Sequence, residues 1–95
     1  MRLTVTVNLL GMRLFEVKKD KLDLSVDGQP SLGSIFDLVE AENPGFKAAI
    51  LDGSGGLSKR IAVLINGDNA QYRGGIEVLL QADDVINIIP AVAGG

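Results

Sequence analysis

The sequence predicts an α+β domain in which one main helix packs on one face of a mixed sheet of four to five strands. Two segments before residue 28 alternate between apolar and polar residues, as half-buried strands do. Residues 31–39 change to helical spacing, and the later segments return to short strands separated by glycine-rich turns. A chain of 95 residues is long enough for one modest hydrophobic core.

The amino-terminal part of the chain predicts two strands. Arg2–Leu9 alternates without exception, with its odd-numbered residues apolar. Lys21–Asp27 alternates again, and here the even-numbered residues are apolar. Between them, the segment Leu14–Lys18 is compatible with an extension of the hairpin or with a wide connecting loop. The role of the Leu10–Lys19 loop stays open.

A change of hydrophobic period indicates the main helix. Ser31 is a suitable N-cap, and apolar residues recur at three- and four-residue spacing from Leu32 to Val39. Asn43-Pro44-Gly45 ends this pattern, and the apolar residues between 46 and 50 predict a second, shorter helical turn.

The carboxyl-terminal half predicts further strands. Arg60–Asn66 contains a continuous apolar run, which is typical of a central strand, and the Asn66-Gly67 pair predicts a tight turn after it. We expect a short strand at Ile76–Leu79 and the last strand at Val85–Pro90.

The composition excludes several function classes. The chain has no cysteine and no histidine, which removes disulfides, thiolate metal sites and the commonest general base. Its net charge of −3 has the wrong sign for a protein that binds phosphate backbones. The longest apolar run, Ile61–Ile65, is too short to span a bilayer, and no leader opens the chain. We therefore expect a soluble, unprocessed, cytoplasmic protein that binds neither nucleic acid nor membranes and holds no metal.

Two internal motifs allow alternative interpretations. The loop Asp52–Gly56 suggests a phosphate cradle, but the position five residues after Gly53 is Ser58 rather than the glycine that a P-loop requires. A flexible connection is therefore favoured. Asp83-Asp84 is compatible with a cation site or paired carboxylates, but a turn before the last strand is favoured, because aspartate tolerates the left-handed conformation.

The basic residues are also open to two interpretations. Lys18-Lys19-Asp20-Lys21 and Lys59-Arg60 together indicate either a docking patch for an acidic partner or a solvated surface. Acidic residues are interspersed with them, so the solvated surface is favoured.

The end of the sequence carries the candidate functional residues. Pro90 cannot donate a ladder hydrogen bond, and residues 91–95 contain no side chain larger than valine. We therefore expect a domain at 1–90 and a mobile tail at 91–95 that reaches about 17 Å when extended. The carboxylate of Gly95 can be activated by ATP as a mixed anhydride with AMP, and Gly94 offers no Cβ to obstruct entry into a partner's active site.

These segments resemble the MoaD family, the small subunit of molybdopterin synthase, which has the ubiquitin-like β-grasp fold. The resemblance is carried by the helix Ser31–Leu38, the break Asn43-Pro44-Gly45, the Asn66-Gly67 turn, Leu80–Val85 and the tail Ile88–Gly95. Asp83 stands where family members usually have glycine. The related thiamine sulfur carriers of the ThiS family share the fold and the terminal Gly-Gly but are shorter, so that length favours MoaD.

The resemblance implies a sulfur carrier without catalytic residues or a bound cofactor of its own. Gly95 would be adenylated by an adenylyltransferase related to ubiquitin-activating enzymes, which consumes the ATP, and converted to a thiocarboxylate. The tail would then enter the large subunit of molybdopterin synthase, in a heterotetramer of two small and two large subunits, and donate sulfur for the molybdenum or tungsten cofactor.

Two further hypotheses stay open at this point. The chain is also compatible with a sulfur carrier for another product, such as thiolated tRNA or thiamine, or with a ubiquitin-like modifier that is joined to lysines. A third hypothesis, from a different class, is a non-catalytic β-grasp interaction module whose Gly-Gly end is incidental.

Overall fold

The computed structural model describes residues 2–9 and 21–90. Its strands and helices follow in the order β1 (Arg2–Asn8), β2 (Lys21–Asp27), α1 (Leu32–Glu42), α2 (Phe46–Ile50), β3 (Ile61–Ile65), β4 (Asp68–Asn69) and β5 (Val85–Pro90). Short 3-10 turns at Ala70–Tyr72 and Gly75–Glu77 lie between β4 and β5. The α+β class, the main helix and its shorter successor are confirmed. Within the described ranges, no helix has the length and hydropathy needed to cross a membrane.

The described strands form one mixed sheet of five strands in the order β2-β1-β5-β3-β4. β1 pairs antiparallel with β2 and parallel with Val85–Asn87 of β5. β3 pairs antiparallel with β5 from Ile86 to Pro90, and the register partner of Pro90 is Ile61. β5 is therefore the central strand, and it remains hydrogen-bonded to a neighbour up to the residue before the predicted tail.

The helices cover one face of this sheet. Alternate strand residues meet the apolar side of α1 and α2 in one buried cluster, which comprises Val5, Val7, Leu9, Leu22, Leu32, Ile35, Phe36, Val39, Phe46, Ile50, Ile61, Val63, Ile65, Ala70, Leu80, Ile86 and Ile88. Phe36 of α1 and Phe46 of α2 meet edge to face, with ring centroids 5.6 Å apart. We call this side of the sheet the covered face.

Local signals at the helix ends act as the sequence predicts. The Ser31 hydroxyl accepts a hydrogen bond from the backbone N–H of Ser34 at 3.2 Å, which confirms the N-cap. After the break, the Glu40 carboxylate accepts hydrogen bonds from the N–H groups of Gly45 (3.0 Å) and Lys47 (2.8 Å). One half-buried side chain of α1 thus holds the start of α2.

The expected short strand at Ile76–Leu79 is wrong. Gly74 has a φ of 119°, in the region that favours glycine, and it begins the 3-10 turn Gly75–Glu77. Leu79 forms only an isolated bridge with Ser31, because the Val78 carbonyl accepts from the N–H of Leu32 and the Leu80 N–H donates to the Pro30 carbonyl, and neither bonds to a sheet strand. The Ile76 side chain instead packs half-buried against the core cluster. Its backbone lies so close to α1 that a Cβ on Gly33 would be 3.3 Å from the Ile76 carbonyl oxygen.

Three predictions fall wholly or partly outside the described residues, one of them the basic cluster that includes Lys18 and Lys19. The ambiguous segment Leu14–Lys18 belongs to the range 10–20, and the predicted mobile tail is the range 91–95. The division into a domain at 1–90 and a tail at 91–95 stays a prediction.

Candidate functional site

Gly94 and Gly95 lie outside the described residues, and β5 is the strand that leads to them. The inner side of β5 is anchored by Ile86 and Ile88, whose exposed fractions are 0% and 2%. Hydrogen-bonded neighbours on both sides fix the direction of this strand. Beyond Asn87 only β3 pairs with β5, and this pairing holds the last described residue, Pro90, in the sheet.

The opposite end of β5 is fixed by a side-chain network. The Asn66 amide donates to Asp84 Oδ1 at 2.8 Å and accepts from the N–H of Val85 at 2.9 Å. Asp84 Oδ2 accepts from the N–H of Gln81 at 2.7 Å, so that both carboxylate oxygens are used. These bonds tie the turn before β5 to the turn after β3.

The turn interpretation of Asp83-Asp84 is confirmed. Asp83 has a φ of 66°, and its N–H donates to the carbonyl of Thr4 at 2.8 Å. Asn66 and Gly67 likewise have positive φ angles of 51° and 93°, as the tight turn after β3 requires. Among the residues that the structure describes, no group of three or more His, Cys, Asp or Glu side chains could hold a metal ion.

The sheet face opposite the helices, which we call the open face, carries an apolar strip beside Pro90. Ala62 and Leu64 of β3 are half-buried there, and Ile89 of β5 is 47% exposed. Ala62 is the register partner of Ile89, so the two side chains are neighbours. We call these three residues the open-face strip. It adjoins the point where β5 ends.

Apart from Val85, the other strand residues of the open face are polar, and several of their side chains bond to one another. Asn8 Nδ2 donates to Asn87 Oδ1 at 2.7 Å, and the Thr6 hydroxyl donates to Asp23 Oδ1 at 2.8 Å. The Arg2 guanidinium donates to the Ser25 hydroxyl at 3.2 Å. Three pairs of polar side chains on this face are therefore joined by hydrogen bonds, whereas the open-face strip presents exposed apolar surface.

Our sequence interpretation did not identify the open-face strip. The signal was present, because Ile61–Ile65 and Ile88-Ile89 are apolar at consecutive positions, and consecutive strand residues face opposite sides. A strand with only one covered face leaves half of such a run outside the core. The continuous run of β3 therefore indicated two apolar faces, of which the described helices cover one.

The glycine-rich loop at residues 52–56 is internally bonded. Asp52 Oδ1 accepts hydrogen bonds from the Ser54 hydroxyl (2.6 Å), the Ser54 N–H (2.8 Å) and the Gly56 N–H (3.1 Å). The Ser54 hydroxyl and then the Ser54 N–H lower the pKa of Asp52 below its ordinary value. The N–H groups that a phosphate would need already have a carboxylate partner, which agrees with the spacing argument against a P-loop.

Comparison with known proteins identifies the family to which this chain belongs. The model of the ThiS family matches residues 12–95 of this chain. A protein of Archaeoglobus fulgidus named as a sulfur carrier is 41% identical over 46 residues, which are 48% of this chain and 52% of that protein. Sulfur carrier protein CysO of Mycobacterium tuberculosis is 30% identical over 67 residues, or 68% of this chain and 72% of CysO. The match thus spans about half of the first relative and nearly three quarters of the second.

Solved structures confirm the β-grasp, ubiquitin-like fold. A chain in the crystal structure of the Amycolatopsis orientalis BexX/CysO complex matches with a TM-score of 0.76 at 29% identity, covering 96% of this chain and 99% of that one. SAMP1 of Haloferax volcanii matches with a TM-score of 0.73 at 23% identity, with coverages of 97% and 99%. The second match shows the fold alone. The relationship that the motifs indicated is confirmed for the ThiS/MoaD-related carriers as a group.

Proposed function

This chain belongs to the ThiS family, and we propose that it is a sulfur carrier whose Gly95 carboxylate is activated by a partner enzyme and converted to a thiocarboxylate. The observation that carries the proposal is the family match, which extends through Gly94 and Gly95 to residue 95. Two relatives named as sulfur carriers support the same function. Their similarity makes an incidental Gly-Gly end, as in a plain interaction module, the weaker hypothesis.

The proposed chemistry has two steps. A carboxylate oxygen of Gly95 attacks the α-phosphorus of ATP, and pyrophosphate leaves, so that an acyl-adenylate forms. Sulfide, or a donor at the same oxidation level, then attacks the carbonyl carbon, and AMP leaves with the electron pair of the broken C–O bond. The product is a thiocarboxylate, and no group is oxidised or reduced. The sequence has neither cysteine nor histidine, so the catalytic groups and the ATP site would belong to the partners.

The described structure suits a protein whose carboxyl-terminal residues are recognised by a partner enzyme. β5 holds the residue before the tail in place, while Gly94 and Gly95 add no side chain to the last two positions. The open-face strip of Ala62, Leu64 and Ile89 offers apolar surface next to the tail. We propose that an adenylyltransferase related to ubiquitin-activating enzymes docks on this strip while the tail enters its active site.

The second part of the proposal concerns the molecule that receives the sulfur. The MoaD resemblance implies molybdopterin synthesis, with the large subunit of molybdopterin synthase as the second partner. The alternatives are transfer to another product and conjugation of Gly95 to lysines of other proteins. All of these begin with the same acyl-adenylate. The family match supports activation of the Gly95 carboxylate, and a second experiment must identify the acceptor of the sulfur.

Activation is tested by ATP–pyrophosphate exchange with the adenylyltransferase of the source organism. Gly95→Val adds branched bulk beside the reacting carbonyl, and we expect it to reduce exchange at least about a hundredfold, since small displacements of reacting atoms have effects of that size. Gly53→Val is the matched control, because Gly53 lies in an exposed loop where an added Cβ meets nothing within 4 Å. Wild-type exchange by the Gly95 variant would reject the proposal.

Destination is tested on protein purified from its own cells. Intact mass analysis should show replacement of one oxygen by sulfur at the carboxyl end. A Gly-Gly remnant on lysines of other proteins would instead support the modifier alternative. Mixing the thiocarboxylate form with a molybdopterin synthase large subunit and a pterin precursor should yield molybdopterin if the MoaD assignment is right, and no product if it is wrong.

A further inference from the structure

The cationic side chains of the described residues divide into two sets. Half of them form ion pairs with nearby aspartates: Arg2, Lys47 and Arg73. The other half are exposed and form no ion pair or side-chain hydrogen bond within residues 2–9 and 21–90: Lys21, Lys59 and Arg60. All three belong to the basic residues that the sequence interprets either as a docking patch or as a solvated surface; Lys18 and Lys19 of that group lie outside the described residues.

The sheet brings the unpaired cations to one end. Lys59 and Arg60 directly precede β3, whose first residue, Ile61, is the register partner of Pro90. Lys21 begins β2 opposite Asn8 of β1, and Asn8 is in turn opposite Asn87 of β5. Lys21 is therefore level with Asn87, which precedes Pro90 by three residues, or about 10 Å along the strand. We call Lys21, Lys59 and Arg60 the basic end.

The opposite end of the sheet is acidic. Its turns and strand ends carry two arginines, Arg2 and Arg73, which pair with two of four aspartates: Asp27, Asp68, Asp83 and Asp84. This polarity occurs in a chain whose net charge is −3, so the basic end is not a consequence of overall composition. Positive charge is concentrated where β5 delivers the chain toward Gly95.

We infer that the basic end recognises acidic side chains that border the tail-binding site of the activating partner. This inference rests on the proposed function and specifies the chemistry of that partner. Residues 91–95 span at most about 17 Å when extended. A partner that holds Gly95 in its active site must therefore place the rim of that site within this distance of Pro90, next to Lys59 and Arg60.

The unpaired charges of the basic end affect association with a partner more than they affect the stability of the fold. Exposed cations without partners contribute little to folding, whereas complementary charges around a binding site raise association rates by about 10- to 1,000-fold at low salt. The open-face strip would supply the apolar contact, and the basic end would orient the carrier so that the tail meets the entrance. The active site itself lies beyond the basic end, at the far end of the tail.

The test compares two double variants with the same change of charge. Lys59→Glu/Arg60→Glu reverses the basic end, and Arg2→Glu/Arg73→Glu reverses two cations away from it. ATP–pyrophosphate exchange with the source organism's adenylyltransferase is measured against carrier concentration at several salt concentrations. We expect the first variant to raise KM for the carrier at least about tenfold at low salt, with kcat unchanged. The difference should shrink as salt is added.

The outcomes separate this inference from the proposed function. If wild type supports no exchange, both fail. If wild type exchanges but the basic-end variant stays within twofold of it, or if the control variant loses as much, the inference is overturned and the sulfur carrier stands. A basic-end variant that loses binding to tRNA but keeps its KM in exchange would also overturn it. Circular dichroism checks that each variant folds. If the basic-end double variant does not fold, Lys21→Glu alone replaces it, with an expected rise of about threefold in KM for the carrier.

Discussion

Ile88 and Ile89 are neighbours in β5, but they lie on opposite faces of the sheet, and their exposed fractions are 2% and 47%. Ile88 belongs to the cluster between the sheet and the helices, whereas Ile89 belongs to the open-face strip. One covered face supplies the apolar burial that stabilises the fold. The other face keeps apolar surface exposed, which contributes nothing to folding and is free for a partner.

One strand, β5, thus contributes both to the stability of the fold and to the proposed docking surface. Because strand side chains alternate, β5 places one isoleucine in the core and the next on the open face, directly before Pro90. The packing that stabilises the protein also holds Pro90, the last described residue, in the sheet. In the proposed docking, a partner on the open face therefore contacts β5 beside Pro90.

The largest expected effect is on the covered face. Ile88→Ala removes a side chain that is almost completely buried, and we expect the free energy of unfolding to fall by about 2–5 kcal/mol. Urea denaturation monitored by circular dichroism measures it. The matched control is Ile89→Ala, which should cost less than about 1 kcal/mol. Equal losses for the two variants would contradict the assignment of faces.

The next effect concerns the turn that starts β5 and sets which isoleucine faces inward. Asp83→Val places a β-branched residue at a φ of 66°, and we expect a loss of about 1–2 kcal/mol of stability. Asp83→Gly is the control and should cost nothing, because glycine accepts this conformation, as the glycine usual in the MoaD family indicates. Thermal melts of the three proteins decide the matter, and coincident melts for the two variants would argue against strain at this position.

A smaller effect is expected from the open face, and only in the presence of a partner. Ile89→Ala should raise KM for the carrier in ATP–pyrophosphate exchange about fivefold, which corresponds to about 1 kcal/mol of binding. Its kcat should stay at the wild-type value, because Ile89 is not at the reacting end. Thr4→Ala, on the polar half of the same face, serves as control. An unchanged KM for Ile89→Ala would remove the open-face strip from the docking surface.

The smallest effect is a pH dependence within the helix layer of the covered face. The N–H of Lys47, followed by that of Gly45, lowers the pKa of Glu40 below its ordinary value of 4.5. The ionised carboxylate therefore stabilises the folded protein above that value, and the contribution is lost as pH falls from 4.5 through the lower folded pKa. Glu40→Gln should flatten this part of a plot of urea midpoint against pH. A wild-type slope in the variant would contradict the capping role.

Much of the fold was predictable from local signals. Alternation located β1 and β2, the Ser31 hydroxyl located the start of α1, and the Asn66-Gly67 pair located the turn after β3. Each of these depends on side-chain period or on the conformational preference of one or two residues. The wrong strand at Ile76–Leu79 shows the limit, because apolar content there serves contact with α1 and the preceding glycines turn the backbone.

The sequence by itself determined the alternating strands, the helix caps, the absence of cysteine and histidine, and the glycines at positions 94 and 95. Only the tertiary structure decided that β5 is the central strand, that Ile89 and Ala62 adjoin each other, and that Lys21 shares one end of the sheet with Lys59 and Arg60. The physical reason is range. Period and capping act within a few residues, whereas strand order and register join residues separated by as many as 79 positions, such as Asn8 and Asn87.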